Sequence, residues 1–111
     1  LINLDAFSFG ETIALYPEAV AGFLNRGGLI AWGIVPTSVA IREQTAAGLF
    51  DLLTKHVDNL AAKTGIDRKV ILEQSLLTPS CGTGSMEVAD AEKVFATLAE
   101  LSALARVKFG L

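Results

Sequence analysis

Among its 111 residues the chain has one cysteine, one methionine, one histidine, one tryptophan and one tyrosine. The lone thiol, Cys81, excludes an internal disulfide. No positively charged leader with a cleavage site opens the chain, so a reducing cytoplasm is the expected compartment. Long apolar runs are missing too. Asn, Asp, Glu, Arg or Lys interrupts each one well short of the ~18 residues a membrane span needs, which leaves no expected membrane partner. Cations are few, 9 Lys and Arg against 12 Asp and Glu for a net charge of -3, and they are scattered. Without a basic stripe to grip phosphates, nucleic acid is not an expected partner. The first residue is Leu1 and the single methionine is Met86, so the chain reads as part of a longer protein.

What the chain does have is apolar content: 51% of it is hydrophobic and the mean hydropathy is +0.49. In a chain of one-domain size, that much apolar surface implies elements buried on more than one side. One unit recurs three times: an apolar run, a loop with Gly or Pro, then an amphipathic segment. No linker or low-complexity tract divides the copies. Residues 1–7 read as a short strand, followed by a possible turn of helix after Gly10. A helix over 17–24 is predicted, with Pro17 at a first helical position and Gly27-Gly28 at the exit. Residues 29–36 are nearly all apolar, as a parallel strand covered on both faces should be.

The clearest helix spans 45–63, where Ala46, Leu49, Phe50, Leu53, Val57, Leu60 and Ala61 recur at three- and four-residue spacing and Gly65 closes the segment. Residues 67–73 suit either a helix capped by Asp67 or a strand through Val70-Ile71-Leu72; a helical turn is favoured, then a short strand over 75–78. From Ser85 or Glu87 to Lys108, the positions Ala91, Val94, Phe95, Leu98, Leu101 and Ala105 form another stripe. Acids lie at its start and cations at its end, matching the helix dipole.

Strands alternating with helices imply parallel pairing. Three βα units alone leave two open sheet edges and a poorly covered face. Closure into eight removes the edges, so the expected fold is α/β: the C-terminal three βα units of a TIM-type (β/α)8 barrel, with 1–111 a single segment of it. Chemistry in such a barrel sits where strands end. That places residues 5–9, 35–38 and 78–85 at one rim, Cys81 among them.

Cys81 has two physical readings. In one, Pro79 stiffens the approach, Gly82 and Gly84 let an ion or substrate come close, and the amides of the following helix favour the thiolate. In the other it is a small buried hydrophobe in a tight turn. The stretch Thr78-Pro79-Ser80-Cys81-Gly82 resembles the Asn-Pro-Asp-Cys-Gly-Leu motif near the C-terminus of cobalamin-independent methionine synthases. Ile2-Asn3-Leu4-Asp5-Ala6 is similar to that family's Ile-Ser-Ile-Glu-Thr strand. The resemblance implies a catalytic barrel of the methionine synthase and uroporphyrinogen decarboxylase-like group, with the present chain as its last third. It implies a zinc site in which Cys81 and Asp5 are ligands and a His-x-Cys pair is supplied upstream of Leu1. The substrate would be a small-molecule thiol activated for methyl transfer from a folate or a corrinoid. Two departures separate the chain from the pattern: Asp5 is one methylene shorter than the family's glutamate, and Gly82-Thr83-Gly84-Ser85 lacks the two cations of its Gly-Leu-Lys-Thr-Arg stretch.

Other residues have plainer readings. Asp5 suits a cap on backbone amides as well as a metal ligand. Trp32 is a core indole or, from the rim, a substrate-stacking one, with Ser38 beside it as a second substrate-binding candidate. His56 edges the apolar stripe of the 45–63 helix and reads as a packed or rim histidine. The acids of 87–92 read as a solvated first turn. Two alternatives to the methyltransferase remain: a metal-free uroporphyrinogen decarboxylase-like barrel in which Cys81 is structural, and a non-enzymatic module. The open sheet edges also predict homo-oligomers.

Overall fold

The computed structural model describes residues 1–80 and 86–110. Its first element, β1 (Ile2–Leu4), stops sooner than the apolar run suggests. The Asp5 carboxylate accepts the Ser8 N–H at 3.1 Å and starts a short helix, α1 (Ala6–Phe9). The run 1–7 is therefore half strand and half helix, because an aspartate side chain offers the backbone a helical start that outcompetes continued extension. A 3-10 segment, Gly10–Leu15, leads to α2 (Pro17–Asn25), with Pro17 at its first turn. Gly27 leaves this helix at a φ of +82°, a conformation that costs glycine little.

All six residues of β2 (Ile30–Val35) are buried. Beyond it the Ser38 hydroxyl accepts the Ala40 N–H at 3.3 Å and opens a 3-10 turn, Val39–Glu43, that the hydrophobic pattern does not mark. The long helix α3 (Ala46–Thr64) is capped by the Thr45 hydroxyl on the Gly48 N–H at 3.1 Å and closed by Gly65 at a φ of +72°. The ambiguous segment is helical: α4 (Arg68–Glu73) starts where Asp67 accepts the Lys69 N–H at 2.8 Å. Next come β3 (Ser75–Pro79) and α5 (Val88–Phe109).

The sheet is parallel throughout, in the order β1-β2-β3. Ile2 pairs with Ile30 and Leu4 with Trp32 on one side of β2; Ile30 pairs with Ser75 and Trp32 with Leu77 on the other. The result is an α/β fold with a three-stranded parallel sheet and helices, as the alternation of elements predicts. Its core joins Ile30, Trp32 and Ile34 of β2 to Leu49, Leu53, Val57 and Leu60 of α3 and to Val94 and Leu101 of α5. Each such side chain, fully buried, contributes roughly 1.5–3 kcal/mol. Coverage thins at the flanks, where Asn3 is exposed and Leu76 is 47% exposed. No helix among the described residues is long and apolar enough to cross a membrane.

Two contacts tie distant elements together. The Gln74 amide donates to the carbonyls of Leu24 at 3.0 Å and Gly28, locking the end of α2 and the loop before β2 onto the junction of α4 and β3. The Phe50 and Phe109 rings lie 5.1 Å apart, and the Arg68 guanidinium sits 4.9 Å above Phe109, so α3, α4 and the end of α5 meet at one point.

The buried stripe of α5 differs from the predicted one. It runs through Asp90, Val94, Thr97, Leu101 and Ala105, whereas Phe95, placed on the stripe by its apolarity, is 54% exposed. A 22-residue helix with apolar residues on most sides has no unique amphipathic solution. The inward face is the one that sends Val94 and Leu101 into the core and sets Asp90 on Arg42.

Candidate functional site at the carboxyl ends of the strands

Parallel strands in register gather their carboxyl ends at one side of the sheet, the usual location of ligand sites in open α/β folds. Residues 5, 37–38 and 80 follow or end the three strands there. Gly33 explains how closely they approach. A Cβ on Gly33 would lie 2.7 Å from the Leu4 carbonyl oxygen, 2.9 Å from the Ser80 Cα and 3.2 Å from the Pro79 carbonyl oxygen. The outer strands thus converge over β2 where Leu4 ends one and Pro79 and Ser80 end the other. Only a residue without a side chain fits between them.

Hydrogen bonds fix this convergence. The Ser80 N–H donates to the Val35 carbonyl at 2.8 Å. The Ser80 hydroxyl accepts the Thr37 N–H at 3.2 Å and pairs with the Thr37 hydroxyl at 3.1 Å. Cys81 itself, and residues 82–85 after it, lie outside the described residues. Asp5 is half-buried and serves as the cap of α1. Among the described residues no three His, Cys, Asp or Glu side chains cluster closely enough to hold a metal ion. The described residues therefore do not by themselves fit a zinc site.

Trp32 has no exposed surface. Its indole N–H donates to the Ser75 hydroxyl at 2.9 Å, and that hydroxyl donates to the Ile71 carbonyl at 2.6 Å. The ring lies in the core, away from the rim, where it fits a packing role and not a stacking one. Ser38 is exposed at the rim. It lines a cleft of about 250 Å³ together with Thr37, Val39, Arg42, Met86, Glu87 and Asp90.

That cleft contains the residues the sequence pattern missed. The Arg42 guanidinium donates twice to Asp90, through Nε to Oδ1 at 2.9 Å and through Nη2 to Oδ2 at 2.7 Å, with Glu87 at 3.7 Å. The Lys93 ammonium donates to the Arg42 carbonyl at 2.8 Å. Hydrogen bonding from Arg42 holds the Asp90 carboxyl below the usual carboxylate range, and Asp90 in turn raises the Arg42 guanidinium. Asp90 is thus the reverse of a solvated first-turn acid: it faces inward and fastens the start of α5 to the turn after β2. No spacing rule signals a pair 48 positions apart. Chemically, the cleft offers hydroxyls and a guanidinium whose charge Asp90 already balances, an arrangement suited to orienting polar groups more than to proton transfer.

The chain's single histidine sits elsewhere. His56 is 5% exposed on the inner side of α3, and neither ring nitrogen has a hydrogen-bond partner among the described residues. Burial pushes its pKa down. Glu11 opposes the shift and Lys55 adds to it, while the Ala6 carbonyl opposes it slightly, without reaching hydrogen-bond geometry. Comparison with protein-family models, with curated proteins and with solved structures gives no match, so the reading of the site rests on its own geometry and chemistry.

Proposed function

We propose that the chain forms three consecutive βα units of a (β/α)8 barrel and contributes to the rim of a cytoplasmic, zinc-dependent methyltransferase acting on a small-molecule thiol. The convergence of the Leu4 and Ser80 backbones over Gly33 carries this reading, because it brings together the ends of the two strands that the candidate ligands Asp5 and Cys81 follow in the sequence. Sequential parallel order supports the barrel, since each strand neighbours the next in sequence. A further support lies along β1. Beside it runs an apolar groove of about 380 Å³, lined by Ile2, Leu4, Ile13, Tyr16, Ala19 and Val20, where a barrel would place its next strand and helix.

In this assignment Asp5 is oriented by its bond to Ser8, and Ser80, at the end of β3, is pinned by Thr37. Two further ligands must come from outside 1–111, so the isolated chain is expected to bind zinc weakly and to be a poor catalyst. The test uses the complete gene product. It should carry a His-x-Cys pair before Leu1 and hold stoichiometric zinc, which Cys81→Ser abolishes along with methyl transfer. A complete product without that pair, or a Cys81→Ser variant with zinc content and activity unchanged, overturns the proposal. The first result favours a metal-free barrel of the decarboxylase-like kind.

A further inference from the structure

We infer that two copies of this chain pair antiparallel through the outward face of α5, about a two-fold axis near Ala99. The inference is independent of the barrel assignment. With one residue per ~100° of turn, the buried stripe Asp90, Val94, Thr97, Leu101 and Ala105 occupies one side of the helix. Val88, Phe95, Ala96, Ala99, Ala103 and Val107 lie on the other side, all of them exposed. Val88 is 74% exposed, Phe95 54% and Val107 79%. A long helix that is apolar on both faces is normally covered on both, and among the described residues this one is covered on one.

Charge placement identifies the occupant. The outward face carries Glu92 toward the start of the helix and Arg106 toward its end, with Glu100 at its margin. About an axis at Ala99, antiparallel pairing sets Glu92 opposite Arg106 of the second copy. The same operation sets Phe95 opposite Ala103 of the second copy, a bulky ring against a methyl, and brings the two Ala99 residues together where the backbones come closest. Parallel pairing would instead set Glu92 against Glu92 and Arg106 against Arg106. The face is thus complementary to itself under a two-fold rotation, as an isologous interface requires.

Sedimentation velocity on the full chain over a concentration series tests this. A reversible dimer is expected. Ala99→Glu sets two carboxylates against each other on the axis, at an exposed position that leaves the monomer fold intact by circular dichroism, and should yield monomer. Arg106→Glu should raise the dimer dissociation constant about tenfold, and the double variant Glu92→Arg with Arg106→Glu should restore it. A wild-type chain that stays monomeric overturns the inference. So does a dimer that survives Ala99→Glu, a result that would move the contact to the β1 edge.

Discussion

His56 is the residue whose burial is hardest to justify by packing alone. Its ring rests against Gly10, where even a Cβ would collide with it, and both nitrogens go without partners among the described residues. A buried neutral imidazole titrates below its unfolded value of ~6.5, so the unfolded chain binds the proton first. Stability is therefore complete above that pH and falls as pH drops from it toward the lower folded value, by up to about 1.4 kcal/mol per pH unit for one proton. Urea unfolding between pH 7.5 and 5 should show this slope, and His56→Leu should flatten it. Gly33→Ala is the second test at this scale. The new methyl meets backbone atoms of Leu4 and Ser80, which cannot swing aside as a side-chain tip can, so a loss of about 1–3 kcal/mol in the same assay is expected. Neither effect was legible in the sequence. The spacing of the 45–63 helix put His56 at the edge of the stripe but said nothing of unpaired nitrogens. Gly33 looked like any glycine in an apolar run, because the atoms that crowd it come from other strands.

Among the elements, α3 was the easiest to read and α5 the least. In α3 the apolar period, the Thr45 cap and the Gly65 stop all agree, and each acts within a few residues. Thr45→Ala should lower stability by about 1 kcal/mol in thermal unfolding, the usual effect of deleting a helix cap. In α5, local pattern leaves two apolar faces in competition; the inward one carries Val94 and Leu101 into the core and holds Asp90 on Arg42, a partner 48 positions away. Removing that partner has a directional consequence. Asp90→Asn should lower the melting temperature at neutral pH and leave it closer to wild type in acid. The Arg42 contact depresses the Asp90 pKa, so its contribution is present above the ordinary carboxylate pKa and fades as pH falls through the lower folded value. The strand-or-helix ambiguity of 67–73 was resolved by the Asp67 cap, a signal already present in the sequence.

For the whole molecule, one core spans all three strands and the two long helices, so unfolding should be a single transition. Trp32, the only tryptophan, sits at its centre and reports on it directly. Leu53→Ala should cost about 2–5 kcal/mol and shift the Trp32 fluorescence and far-ultraviolet dichroism transitions together; separate midpoints would mean two independent units. The types of the three strands and of the longer helices, most of their boundaries and the parallel pairing were determined by the sequence alone. Caps, glycine stops and apolar periods act over a few residues, and alternating strands and helices leave few ways to pair. The inward face of α5, the burial of Asp90 and His56 and the meeting of the outer strands over Gly33 were decided only by tertiary structure. Each depends on which distant atoms come to lie opposite a residue, and that is known only once the chain has closed on itself.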